Sequence, residues 1–201
     1  MKPLIEHNSE CRQELLKEIE FDNERCAKRR GDPEGPRIRW KLAASFKPAQ
    51  DKPTLEFGRS ENGNWVVLGG DGSVRDVDDD RDYLPFYPLL EMTLVRVRTV
   101  VADEFRRHGI SVEWLTEFPF PQIAASALRS GSKFWPDDAL QWVDQLLPCN
   151  ELEDALRFLQ EEGRTQSQRH RAAKLLRSSA ADPLYSDGEN KLPGETDGAN
   201  R

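Results

Sequence analysis

The sequence is poor in the residues from which most metal and catalytic sites are built. It has three cysteines, Cys11, Cys26 and Cys149, and only three histidines, and no two cysteines form a CxxC pair. An odd number of widely spaced thiols supports neither a disulfide framework nor a zinc site. We therefore expect free thiols, a cytoplasmic location, no metal and no cofactor.

Long apolar stretches are missing as well. The longest are a few residues, far short of the roughly 20 that a membrane-spanning helix needs, so we expect no membrane contact. The opening residues, Met-Lys-Pro-Leu-Ile-Glu-His-Asn, turn polar at once, unlike a signal peptide. The net charge of −7 argues against a general nucleic-acid binder, which needs a positive surface facing phosphates.

No catalytic constellation is recognisable. No serine or cysteine lies in a nucleophile-elbow pattern. Gly69-Gly70-Asp71-Gly72 joins two predicted strands and precedes no helix, which indicates a turn and not a phosphate loop. The sequence thus favours a protein without enzymatic activity. An enzyme would have to assemble its site from distant residues, for instance around Asp76–Asp82.

The residues that are present predict an α+β fold in four parts. These are an N-terminal helix (1–31), an antiparallel meander of three to four strands with a long core helix (37–115, the helix over 86–108), two short helical hairpins (118–178) and a disordered acidic tail (180–201). Asn8 or Ser9 suits the start of the first helix and Gly31 its end. A pair such as Thr165 with Gln168 is typical of a capped helix start.

The meander and its covering helix have clear patterns. Apolar residues alternate from Ile38 to Phe46. Asn62-Gly63 and Asp71-Gly72 are typical of tight hairpin turns. Apolar residues then recur at three- and four-residue steps within 86–108, so we expect this helix to cover the apolar face of the sheet.

One stretch of the meander, Trp65-Val66-Val67-Leu68 followed by Gly70-Asp71-Gly72-Ser73-Val74, is similar to the sheet of SUKH-type bacterial immunity proteins. The resemblance is confined to these residues and assigns no family. It implies an immunity-type binding protein and adds a little weight to that expectation.

The most conspicuous charge cluster is a run of aspartates: Asp76, Asp78, Asp79, Asp80 and Asp82. Three of them have the one-three-five spacing of a calcium loop, but Tyr83 replaces its glycine and Leu89 its glutamate. We therefore predict a solvated acidic turn without a bound metal. Such a turn could dock a basic partner protein, for example a nuclease.

The last predicted helix and its start carry cations without one acid: Arg164, Arg169, His170, Arg171, Lys174 and Arg177. A helix of this composition could bind phosphate groups or an acidic protein surface. Two purely structural roles would also account for these cations. The helix dipole favours cations near its C-terminal end, and the acidic tail could fold back over them.

Aromatic residues are concentrated in one short span: Trp114, Phe118, Phe120, Phe134, Trp135 and Trp142. Large aromatics usually fill the joint between layers, so we expect most of them in the core. Phe118, Phe120 and Trp135 lie partly in turns, however, and are candidate contacts to a partner protein.

The leading hypothesis from the sequence is a cytoplasmic, non-enzymatic protein-binding module of the immunity or inhibitor type that acts on a basic partner. The first alternative is a nucleic-acid-associated protein that uses the basic helix over 164–177. The second alternative is an enzyme whose site is assembled from distant residues.

Overall fold

The computed structural model describes residues 24–31, 34, 37–48 and 53–180. It confirms the α+β fold: an antiparallel sheet of five strands is joined to a helical layer. The strands lie side by side in chain order, namely β1 (Glu24–Lys28), β2 (Arg37–Phe46), β3 (Leu55–Ser60), β4 (Trp65–Leu68) and β5 (Val74–Asp76).

The first strand corrects the last part of the helix predicted over 1–31. Residues 1–23 lie outside the described residues, as do residues 181–201 of the predicted tail, but Glu24–Lys28 pair with β2, with Glu24 opposite Lys41 and Lys28 opposite Arg37. Charged residues of this kind are compatible with either a helix or an edge strand when considered locally. Backbone pairing with β2, which local sequence patterns do not reveal, decides the outcome.

The sheet buries side chains on both faces and curls. Phe57, Trp65 and Val67 belong to the large core beneath the helices. The other face holds a small second cluster: Trp40, Leu42, Val66 and Val74. Just beyond β1, Arg29 bridges Val74 of β5, and the Arg30 backbone N–H donates to the Val74 oxygen at 2.8 Å. The first and last strands of the sheet therefore meet at this point.

The helical layer follows the sheet in the chain. A 3₁₀ helix (Asp80–Glu91) is followed by α1 (Leu94–Arg107), a short 3₁₀ turn (Val112–Thr116), α2 (Phe120–Arg129), α3 (Trp135–Val143), α4 (Asn150–Glu162) and α5 (Gln166–Ala180). Within the described part of the chain, none of these helices combines the length and apolar character needed to cross a bilayer.

The predicted core helix over 86–108 consists of two elements. Its first part belongs to the 3₁₀ helix, which contains Pro85 and Pro88. A proline has no backbone N–H and crowds the preceding turn, so this segment cannot hold an α-helical hydrogen-bond ladder. The α-helix begins only at Leu94, and from there its stripe of Val97, Val101 and Phe105 is fully buried, as predicted.

The two predicted helical hairpins are present, with α2 packed on α3 and α4 packed on α5. In addition, α2 packs on α4 and on the 3₁₀ helix, which makes α2 the centre of the layer. Its small residues Ala124 and Ala127 are fully buried and allow this close approach. The predicted capping pair is also present, because Gln168 N–H donates to Thr165 Oγ1 at 3.1 Å.

Candidate functional site

Two of the aromatic side chains predicted to contact a partner are core residues. Phe118 is 2% exposed and Phe120 is 4% exposed, and their ring centroids lie 4.7 Å apart. Phe118 also packs against Phe57 of the sheet. Their burial at the joint between sheet and helices corrects the prediction, because neither ring can reach a partner.

The third predicted aromatic, Trp135, is half-buried with its ring 5.5 Å from that of Tyr87. Its neighbour Phe134 has a very different position, since 75% of its side chain is exposed. Phe134 is the cap residue of α3, so it lies just before the helix whose apolar residues are buried. A position outside the apolar stripe of the helix is the sequence signal that could have predicted its exposure.

The start of α3 is fixed to the start of α5 by a buried amide. The Gln168 side chain is fully buried, and its Nε2 donates at 3.1 Å both to the Lys133 backbone oxygen and to Asp137 Oδ2. Arg171 adds an ion pair, with Nη1 3.2 Å from Asp137 Oδ1. Phe134 lies between Lys133 and Asp137 in the chain, so its backbone is held beside the first turns of α5.

The outward side of α5 carries a row of basic residues. His170, Arg171, Lys174 and Arg177 are all exposed, and their spacing places them on one face of the helix. Within the described residues, Lys174 and Arg177 form no ion pair. The predicted contact residue Arg169 has a different role, because it is half-buried and donates to the backbone oxygen of Gly163.

The hydrogen bonds of Gln168 hold the start of α3, which carries Phe134, against the first turns of α5, although these segments are more than thirty positions apart in the sequence. We use the name aromatic–cationic surface for the exposed Phe134 and the exposed basic residues at the start of α5 and along it, Arg164, His170, Arg171, Lys174 and Arg177. An exposed aromatic ring on the same side of a protein as basic residues can bury apolar area while these residues attract carboxylates or phosphates.

Several carboxylates of the aspartate run form ion pairs with arginines of the same chain. Asp76 forms an ion pair with Arg29, and Asp80 pairs with Arg129 at 3.4 Å. Asp82 pairs with Arg75, also at 3.4 Å. These contacts tie the run to β5, to the end of β1 and to α2.

Asp82 also organises the start of the 3₁₀ helix. Its Oδ2 accepts hydrogen bonds from the backbone N–H of Asp79 at 3.0 Å and of Asp78 at 3.4 Å. Partial burial, with the nearby charges of Asp76 and Asp82, raises the pKa of Asp78 above its ordinary value. Asp78, Asp79 and Asp80 remain exposed. The described residues contain no cluster of three or more His, Cys, Asp or Glu side chains that could hold a metal ion.

One further charged group is buried for structural reasons. The side chain of Arg59 is 2% exposed and forms an ion pair with Glu117. Its guanidinium lies 4.8 Å from the Trp65 ring centroid and 4.7 Å from that of Trp114. Cation–π contacts of this kind stabilise a desolvated arginine, here at the joint between β3 and the 3₁₀ turn.

No family model, curated protein or solved structure matches the chain. The resemblance of the meander to immunity proteins therefore stays a prediction. Arguments about function rest on the surfaces described above.

Proposed function

We propose that the protein is a protein-binding module and that the aromatic–cationic surface is its contact surface. The observation that carries the proposal is the 75% exposure of Phe134 at a position whose backbone is fixed by the buried Gln168. Most large aromatics of this chain are buried in the core. A fixed, solvated ring is suited to fill a pocket on a partner, because such residues dominate the energetics of many interfaces.

The charges around Phe134 indicate the chemistry of the partner. Arg171, Lys174 and Arg177 line the outward face of α5, and among these three only Arg171 forms an ion pair within the described residues, with Asp137. Such a surface complements an acidic segment that carries at least one apolar side chain. This partner has the opposite charge to the basic partner predicted from the aspartate run.

The proposal can be tested with a display library of random peptides. We expect the protein to enrich acidic peptides with an apolar residue, and the Phe134→Ala variant to lose at least about tenfold in affinity for them. Val95→Ala is the matched control, because Val95 is 63% exposed but lies on α1. No enrichment, or equal retention by the Phe134→Ala variant, would overturn the proposal.

The nucleic-acid alternative is tested in a separate experiment with the same Phe134→Ala variant. Bases stack on exposed aromatic rings beside cations, so the surface also has features of a single-strand binding site. Strong, salt-dependent retention of a labelled single-stranded oligonucleotide, lost in Phe134→Ala, would favour this alternative. The net charge of −7 is the reason for preferring a protein partner.

A second candidate contact remains at the aspartate run, where Asp78 and Asp79 are exposed and form no ion pair within the described residues. They could attract the basic partner predicted from the sequence. The double variant Asp78→Asn/Asp79→Asn should then weaken binding to a basic protein such as a nuclease. Binding that is unchanged would exclude this surface.

A further inference from the structure

A cavity of about 520 Å³ opens where the end of β1 meets the turn between β4 and β5. Its volume lies in the range of roughly 300–1,000 Å³ that is typical of small-molecule sites. Among the described residues, four basic side chains and one carboxylate line it: Lys28, Arg29, Arg30, Arg37 and Asp71. The described part of its wall is therefore predominantly positive, although the whole chain is acidic.

The sheet register concentrates this positive charge. Lys28 of β1 lies directly opposite Arg37 of β2, so two basic residues border the cavity at this point of the sheet. Arg30 follows two residues after Lys28 and is fixed through its backbone N–H to Val74. An anion between the side chains of Arg30 and Arg37 would be attracted to both.

The other charged groups of the wall are already engaged. Arg29 forms an ion pair with Asp76. Asp71 accepts hydrogen bonds from the backbone N–H and the hydroxyl of Ser73, at 3.0 and 2.6 Å. Within the described residues, Arg30 and Arg37 form no ion pair. Hydrogen bonds from Ser73 lower the pKa of Asp71, and the charge of Arg30 contributes to this shift, so Arg30 lies within electrostatic reach of that carboxylate. Arg30 and Arg37 are therefore the side chains that we expect to donate to a ligand.

We propose that this cavity binds a multivalent phosphate-type anion, with Arg30 and Arg37 as its main donors. A guanidinium presents paired N–H donors that match two oxygens of a phosphate group. The cavity is much larger than a single phosphate, so pyrophosphate or the phosphate chain of a nucleotide fits it better. The site lies on the sheet and is independent of the aromatic–cationic surface on the helices.

The first test is isothermal titration of the full chain with sodium pyrophosphate at low ionic strength. We expect saturable binding, and binding at least about tenfold weaker in the double variant Arg30→Gln/Arg37→Gln. The control Arg106→Gln/Arg157→Gln removes the same charge from exposed positions on α1 and α4. Absence of binding, or equal weakening in both variants, would overturn the proposal.

The second test needs no variant and reports the position of the ligand. Cys26 lines the cavity and is exposed, whereas Cys149 lies at the start of α4 and is half-buried. Pyrophosphate should slow alkylation of Cys26 by iodoacetamide without changing the rate at Cys149. Equal rates with and without pyrophosphate at Cys26 would contradict binding in this cavity. Repeating both tests with ATP distinguishes a nucleotide, which should bind more tightly than pyrophosphate, from a free inorganic anion.

Discussion

The buried amide of Gln168 donates to Asp137 at a distance of 3.1 Å, and this hydrogen bond joins α5 to the first turn of α3. The same nitrogen donates to the Lys133 backbone oxygen. Together with the ion pair between Arg171 and Asp137, this side chain holds the segment that carries the exposed Phe134 against the first turns of α5. The geometry of the proposed contact surface depends on an interior residue that no partner would touch.

Replacement of Gln168 by leucine should destabilise the protein by about 1–3 kcal/mol, because two acceptors lose a buried donor. The measurement is the free energy of unfolding in urea. Gln166→Leu, at an exposed position of the same helix, is the control and should change stability by less than about 0.5 kcal/mol. Similar losses in the two variants would show that the amide has no special role.

Truncation to alanine should destabilise the protein strongly at Phe118 and hardly at all at Phe134. Phe118→Ala removes a ring from the centre of the aromatic core and should cost about 3–5 kcal/mol. Phe134→Ala removes a solvated ring and should cost less than about 0.5 kcal/mol. Chemical denaturation of both variants provides the comparison. A large loss in the Phe134 variant would indicate that the ring is part of the core and would weaken the proposed function.

Gly58 should tolerate no side chain. A methyl group built on it would lie 1.9 Å from the backbone oxygen of Lys41, beside the register shift between Leu42 and Ala44. Gly58→Ala must therefore separate β2 from β3, and we expect a loss above about 2 kcal/mol in the free energy of unfolding. Gly70→Ala is the control, because its methyl group would meet open space. Equal midpoints of thermal unfolding in the two variants would contradict the predicted clash.

Tyr83 should make stability fall at high pH. Burial, reinforced by the nearby charge of Glu151, raises the pKa of Tyr83 from 10.0 to about 12. Its contribution to stability is complete below pH 10, where the tyrosine is neutral in the folded and the unfolded chain. Between pH 10 and about 12 the unfolded chain loses the proton first, so the free energy of unfolding decreases as the pH rises.

The matched measurement follows the free energy of unfolding of the wild type and of Tyr83→Phe across this pH window. Phenylalanine cannot ionise, so the variant should lose less stability than the wild type as the pH rises. If the free energy of unfolding falls equally with pH in the wild type and the variant, Tyr83 has the same pKa in the folded and the unfolded chain, which would contradict the prediction.

Short sequence patterns correctly predicted the parts of the fold in which neighbouring residues determine the backbone conformation. Thr165 and Gln168 form the capping pair that their spacing indicates. The hairpin at Asn62-Gly63 joins β3 to β4, and Gly63 has the positive φ of 78° that such a turn requires. In these places neighbouring residues determine the backbone, so no knowledge of distant contacts is needed.

The features that escaped prediction depend on distant contacts. Glu24–Lys28 are a strand because β2 lies beside them. Phe118 and Phe134 are of the same residue type and both lie near a proline, yet one is buried and the other exposed. Only the position of each segment in the packed layer distinguishes them. The basic residues of α5 were visible in the sequence, but the contact between the start of α5 and the start of α3 depends on Gln168 and could not be predicted from it.

The bridge between Arg29 and Val74 has a consequence for self-association. Exposed edge strands invite a second chain to add its own strand, which is a common route to aggregation and to partner binding by β-augmentation. Here the oxygen of Val74 already accepts the N–H of Arg30, so β5 offers no free acceptor at that position. Curling of the sheet thus removes one hydrogen-bond acceptor from the edge of β5 with which a second chain could pair.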